Sequence, residues 1–277
     1  MELLGVIGNP IAHSLSPIMH TAAFQAVGMK GIYLPLLVEQ EQLAQAIYGA
    51  QALGFAGLNV TVPYKEKVLP YLTDLTPQAQ AVGSVNTIKF SRDRIIGHTT
   101  DGEGFTAAAA DELGFDFQGK TAFVVGAGGA ARAIAAALVE KECRIYLANR
   151  TQKRAEQLAA AVDAAGEQIS VVPLEPVQLA PIMEQVEVVI NTTSVGMTDS
   201  IEQTPIDPGL LKPQQLVIDI VYNPEKTRLL KEAEKLGCRI QNGVGMLVWQ
   251  AVKAWEFWWG ITPPADIMYK AVKASLS

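Results

Sequence analysis

Val124-Val125-Gly126-Ala127-Gly128-Gly129-Ala130-Ala131-Arg132 decides the fold of this chain. An apolar run ends in two valines, glycines crowd the next few positions, and alanines then open a helical stretch. Strand, glycine turn, helix is the layout of a dinucleotide phosphate site. Small residues let the backbone approach a pyrophosphate, and the N-terminus of the following helix stabilises its negative charge. The loop reads G-x-G-G-A-A, with Ala131 at the third position of the G-x-G-x-x-G/A form. A tight strand–helix turn without a ligand would also suit a glycine loop alone. The strand before it and the helix after it favour Gly126, Ala127, Gly128, Gly129 and Ala130 as cofactor contacts.

The following strand chooses between dinucleotides. Sites for NAD carry Asp or Glu at the end of that strand, bonded to the ribose 2′-hydroxyl. Here Ile145–Ala148 runs into Asn149-Arg150-Thr151-Gln152-Lys153-Arg154, with no carboxylate. Arg150 and Arg154 can clamp a 2′-phosphate with their guanidinium groups, and Thr151 adds a hydroxyl while capping the next helix. Basic residues in the first turn of a helix oppose its dipole, so an ordinary capped helix explains them poorly. The expected cofactor is NADP(H).

Outward from this loop, strands at Thr121–Val125, Arg144–Leu147, Ile169–Pro173, Val186–Asn191 and Leu216–Asp219 alternate with helices at Ala130–Lys141 and Gln152–Ala164. That alternation predicts a parallel sheet covered on both faces, a doubly wound Rossmann-type domain. Ahead of it lies another α/β series. Strands are expected at Leu3–Gly8, Ile32–Leu37 and Gly57–Val62, with a hairpin of Val85–Phe90 and Arg94–His98. Helices are expected from Ser16-Pro17, with Ser16 as the N-cap, to Gly28, at Gln42–Leu53 and at Gly102–Leu113. After Asn242-Gly243 the chain reads as helical to its end. Trp249, Trp255, Trp258 and Trp259 there suggest packing, in a return over the first domain. The fold class is therefore α/β with two domains: 1–101 plus 243–277, and 102–242.

The bulk composition is compatible with this. A chain of 277 residues, 49% hydrophobic and 18% charged, has the makings of two well-packed cores. A net charge of −6 without a basic block argues against a nucleic-acid surface. Cys143 and Cys238 form no metal-binding or disulfide pattern. The first residues read as a strand rather than a signal peptide, and no apolar run reaches membrane-spanning length. A cytoplasmic protein with a small-molecule substrate is expected, and a homodimer is possible.

Three segments of the first series carry polar groups that a core would not choose. Gly8–Pro17 is a turn-rich loop feeding a helix, where Ser14 and Ser16 can donate to a carboxylate. Asn59-Val60-Thr61-Val62-Pro63-Tyr64-Lys65 sets Asn59 and Thr61 on one strand face, with Lys65 at the exit. Gly83–Thr87 and Gly97–Gly102 contribute Asn86 and Asp101. A helix cap is an equally ordinary use for Ser16 or Asp101, and spacing alone does not bring these groups together.

GNPIAHSLSPIMH, NVTVPYK, GSVNT, TTDG, GAGGAARA, NRT, NTTSVGM, DIVYNP and NGVGMLVWQ occur in the order found in the shikimate dehydrogenases, and the chain resembles that family from end to end. The resemblance implies a split catalytic domain with an inserted NADP-binding domain. It implies reversible reduction of 3-dehydroshikimate to shikimate with NADPH. Position by position, it assigns Ser14 and Ser16 to the substrate carboxylate. Asn59, Thr61, Asn86, Asp101 and Gln250 go to the ring hydroxyls, and Tyr222 lies beside the substrate. Lys65 becomes the acid/base, paired with Asp101. Asn149–Arg154, Ile220 and Gly243 line the cofactor, with Met246 near the nicotinamide. Thr21 and Thr99 depart from the family pattern, which has Asn at both places. A quinate/shikimate dehydrogenase of broader specificity is the nearest rival reading, and a non-catalytic dinucleotide sensor the rival from another class.

Overall fold

The computed structural model describes residues 1–276, the Thr198 side chain excepted. It divides into two compact units, Met1–Gly104 with Val248–Ser277, and Phe105–Leu247. In chain order the main elements are β1 (Glu2–Gly8), α1 (Ser16–Ala26), β2 (Gly31–Leu37), α2 (Leu43–Ala52), β3 (Gly57–Val60), β4 (Asp74–Leu75), α3 (Pro77–Val82), β5 (Thr87–Ser91), β6 (Arg94–His98) and α4 (Asp101–Leu113). Then follow β7 (Thr121–Val125), α5 (Gly129–Glu140), β8 (Arg144–Ala148), α6 (Gln152–Val162), β9 (Ile169–Val171), α7 (Pro176–Met183), β10 (Val188–Asn191), β11 (Leu216–Asp219), α8 (Arg228–Lys235), β12 (Arg239–Gln241), α9 (Val244–Trp259) and α10 (Ala265–Leu276). The chain changes unit inside α4 and inside α9.

In the first unit the sheet order is β2-β1-β3-β5-β6-β4. β1 is parallel to both neighbours, whereas β3, β5 and β6 run antiparallel in succession. One core gathers Ile7, Leu43, Ile47, Leu58, Val60, Val68, Ile88 and Ile95. Trp255, Trp258 and Trp259 of α9 pack with His20 and Phe24 of α1. Trp255 is fully buried, lies against Phe24 (4.9 Å between ring centres), and donates its indole N–H to His20 Nδ1 (2.8 Å). Trp258 Nε1 donates to the Ile88 carbonyl (2.9 Å), tying α9 to β5. Truncating a buried tryptophan of this kind to alanine costs about 3–5 kcal/mol. Ser16 does not cap α1. Leu15 holds the N-cap position, and Ser14 Oγ accepts the Ser16 N–H (3.3 Å), so the serine that closes the helix start lies two residues earlier.

The second unit is an all-parallel sheet in the order β12-β11-β10-β7-β8-β9. Numbered within the unit this is 3-2-1-4-5-6 read from the far edge, and the strand order reverses between β7 and β10. The period of two is visible in its cores. Ala122, Val124, Ile145, Leu147, Val188, Ile190, Leu216 and Ile218 face one core with α5 and α6. Phe123, Val125, Val189 and Val217 face the other, with α7 and α8. Among the described residues no helix is long and apolar enough to cross a membrane.

His20 is buried with its imidazole pushed down to about 3 by desolvation, and burial holds His98 down at about 4. Below the ordinary value of 6.5 the unfolded chain takes up protons that the folded chain refuses, so stability falls as pH drops through this window. Each such proton contributes a slope of up to about 1.4 kcal/mol per pH unit. Urea unfolding of the wild type should therefore show stability declining from pH 6.5 toward pH 4, and His20→Gln should flatten the decline. An unchanged slope in the variant would assign the effect elsewhere.

Candidate active site and cofactor cradle

The first unit concentrates its buried polar side chains where β3, β5, the end of β6 and the start of α4 meet. The antiparallel register pairs Asn59 with Thr87, and Thr87 with His98. This brings the segments NVTVPYK, GSVNT and TTDG together. α9 adds Gln250, which approaches because Gly104 has no side chain: a Cβ there would stand 2.5 Å from the Gln250 nitrogen.

The hydrogen bonds run in one direction. Tyr33 Oη donates to Asn59 Oδ1 (2.7 Å). Asn59 Nδ2 donates to the Asn86 carbonyl and to Thr87 Oγ1, both at 3.1 Å. Thr87 Oγ1 donates to Asn86 Oδ1 (2.9 Å), which also accepts the Thr100 N–H (2.8 Å). Asn86 Nδ2 donates to Asp101 Oδ1 (2.8 Å) and Thr100 Oγ1 (2.9 Å), with Gln250 Oε1 at 3.4 Å. Lys65 Nζ donates to the other carboxylate oxygen, Asp101 Oδ2, at 2.5 Å. The Lys65 side chain is 17% exposed and that of Asp101 only 5%. A carboxylate this buried is costly to leave without donors, and here both of its oxygens are occupied.

This geometry refines what the asparagines offer a ligand. Asn59 is buried with both amide hydrogens engaged, so only its oxygen retains a free lone pair. Asn86 has three acceptors around two hydrogens and would release the long Gln250 contact first. Ser14 is half-buried and Ser16 buried, at the N-terminal end of α1. Thr61 lies just past the end of β3, half-buried, its N–H bonded to the Ile7 carbonyl (3.0 Å).

The second unit places its motifs at the carboxyl ends of its strands, beside the reversal of strand order. Gly126 follows β7 with φ +120°, a conformation that side chains disfavour, and Thr192 Oγ1 would sit 2.2 Å from any Cβ there. Ala127 leads to Gly128, which holds the N-cap of α5, while Gly129 and Ala130 form its first turn. No side chain caps that helix, and a Cβ on Gly128 would meet nothing within 4 Å. Backbone amides beside open space at a helix N-terminus fit a pyrophosphate. Asn149 Nδ2 donates to the Thr151 carbonyl (2.9 Å), and Arg150, Thr151 and Arg154 are exposed. Thr151 stands at the N-cap of α6 but makes no side-chain cap bond, contrary to the sequence expectation. Its hydroxyl and two guanidinium groups at this turn fit a 2′-phosphate. Ile220 and Gly243 touch across a gap too narrow for a Cβ, which would be 2.0 Å from the Ile220 oxygen. Met246 packs on the adjoining core, and Tyr222, two residues beyond Ile220, is half-buried with its phenol pushed up by burial.

Asp219, unassigned by the sequence, organises these loops. It is fully buried and accepts from Asn191 Nδ2 (2.9 Å), the Val221 N–H (3.0 Å) and Thr227 Oγ1 (2.7 Å). Burial raises it to about 6 against those donors.

Residues 6–88 match the family model described as shikimate dehydrogenase substrate binding domain, 107–226 that of shikimate / quinate 5-dehydrogenase, and 243–273 that of the shikimate 5'-dehydrogenase C-terminal domain. The chain belongs to the shikimate dehydrogenase family. A shikimate dehydrogenase (NADP(+)) of Moorella thermoacetica is 44% identical over 277 residues, 99% of this chain and 93% of its own. That of Desulforamulus reducens is 42% identical over 270 residues, 96% and 93% of the two chains. The shikimate 5-dehydrogenase of Thermus thermophilus, solved in complex with NADP(H) and shikimate, is 35% identical with a TM-score of 0.91, covering 100% of both chains.

Of the two departures from the shikimate dehydrogenase pattern, Thr21 is accounted for locally. Its hydroxyl donates to the Pro17 carbonyl (2.7 Å) one turn back in α1. Thr99 is buried with its Oγ1 unbonded, a polar group without a partner beside the site. Tyr33, Thr87 and Thr100 join the site without having been singled out. Thr87 and Thr100 lie inside the quoted motifs, whereas Tyr33 sits in an apolar strand and reads as core.

Gly126→Ala forces a side chain onto Thr192, whose hydroxyl is held by the Val125 carbonyl (2.7 Å). The variant should lose about 1–3 kcal/mol of stability, seen as a lower melting temperature. Fluorescence titration should show weakened NADPH binding as well.

Proposed function

We propose that the protein catalyses the reversible NADPH-dependent reduction of 3-dehydroshikimate to shikimate. One observation carries the reading: a lysine–aspartate ion pair at 2.5 Å, largely enclosed and flanked by neutral hydrogen-bonding side chains. Family membership gives that pair its substrate class.

The residues divide the work by their chemistry. Ser14 and Ser16, at the start of α1, would hold the substrate carboxylate through hydroxyl donors and the positive end of the helix. Asn86, Gln250, Thr61 and the free lone pair of Asn59 would select the ring hydroxyls. Lys65, as an ammonium, would hydrogen-bond the carbonyl oxygen, stabilise its developing charge and deliver the proton. In the reverse direction its neutral amine would take the proton back. Asp101 keeps the ammonium aimed, and a positioned acid/base of this kind contributes roughly 10²–10⁴-fold in rate. The glycine turn and the Asn149–Arg154 segment would hold NADP(H), which when bound supplies or accepts the hydride.

Two features favour NADP over NAD, the cofactor a quinate enzyme of the rival kind would use. β8 ends without a carboxylate for a ribose 2′-hydroxyl, and Arg150 and Arg154 are exposed beside it. Side-by-side kcat/KM values for shikimate and quinate with each cofactor test the choice. The cytoplasm is the proposed compartment. A homodimer is proposed as well, supported by Ile32, Leu34 and Leu37, exposed on the edge strand β2, and light scattering in solution tests it.

Lys65→Ala should lower kcat about 10²–10⁴-fold with a much smaller change in KM, measured by NADP⁺ reduction. Near-normal turnover would remove Lys65 from the chemistry. Arg150→Asp should weaken NADPH affinity by about tenfold or more while sparing NADH, since only the former carries the 2′-phosphate.

A further inference from the structure

Tyr33 lies on β2, away from every motif that marks the site, yet its hydroxyl reaches a side chain that does. It donates to Asn59 Oδ1 (2.7 Å). The ring is fixed from behind. His20 stacks on it at 4.1 Å, with 5° between the planes. Trp255 fills His20 Nδ1 from the other side, which leaves the neutral imidazole proton on Nε2. A buried phenol needs only one acceptor, and any backbone carbonyl would satisfy it. Here the acceptor belongs to the substrate-facing array.

We infer that Tyr33 is a positioning residue that steadies the acid/base pair through a one-way chain of donors. The inference rests on the function proposed above. The chain runs from Tyr33 to Asn59, Thr87 and Asn86, and ends on Asp101, which faces Lys65. Each member donates forward, so each bond polarises the next, and the negative charge on Asp101 orients the whole series. Asn59 illustrates the effect. With its oxygen held by Tyr33 and its nitrogen by Thr87 and the Asn86 carbonyl, the amide cannot flip without losing all three bonds.

Tyr33→Phe tests this, because the ring and its stack on His20 remain. The variant should turn over shikimate about tenfold more slowly, the worth of roughly one hydrogen bond. The acid limb of its kcat–pH profile should move to higher pH, and NADPH affinity should be unchanged. Thr87→Val breaks the same chain further along. If Tyr33 acts through it, the double variant should be no slower than Thr87→Val alone. Melting curves accompany all three proteins. A Tyr33→Phe enzyme with lowered melting temperature but wild-type kcat and pH profile would overturn the coupling, as would rate losses that multiply. Wild-type protein that fails to oxidise shikimate would instead overturn the function beneath it.

Discussion

A buried carboxylate, Asp101, is the constraint around which the first unit is arranged. It is 4% exposed, and Lys65 and Asn86 hold its two oxygens, so neither is left without a donor. Everything upstream follows from aiming those donors. The antiparallel β3–β5–β6 register brings three polar segments to one end of a sheet. The glycine in α4 lets α9 approach, and Tyr33 and Thr87 fix the two asparagine amides. A single cation beside the carboxylate would satisfy the charge, but the neutral donors also fix where the ammonium points.

The second unit solves a similar problem with neutral means. Asp219 sits at the end of β11, held by an amide, a hydroxyl and a backbone N–H. Desolvation accordingly dominates there and lifts its affinity for protons. What it gains is local order: the loop after β10, the loop after β11 and the start of α8 share one anchor. Gly126 and Thr192 belong to the same rim, so the cradle for a dinucleotide is held from both sides of the point where strand order reverses.

Much of this could be read from residues alone because burial writes itself as periodicity. The central strands β7, β10 and β11 are continuous apolar runs and were legible, as was the glycine turn. The elements that escaped notice are those whose pattern is too short or interrupted. β12 has only three residues, β4 only two, and α7 carries prolines at its start and inside it. α8 is a brief charged helix whose apolar side is Leu229, Leu230 and Ala233. For the site, spacing named Lys65, Asn86 and Asp101 but could not show which atoms met. Tyr33 was invisible because an aromatic in an apolar strand is ordinarily packing. The serine at the start of α1 changed role because the pattern Ser-Leu-Ser-Pro does not by itself set the helix start; the backbone places Leu15 at the N-cap and leaves Ser14 to accept the Ser16 N–H.

The passage of the chain between units within helices limits how the molecule can be dissected. A fragment spanning 105–247 would begin inside α4 and keep only the opening turn of α9. A single turn cannot sustain itself, since helix nucleation is unfavourable without further length. That turn carries Met246, which packs on the fragment's own core. The complementary piece would need a new junction joining Gly104 to Val248, both inside helices. No loop offers a clean cut, and each half would forfeit part of its packing to a severed helix end.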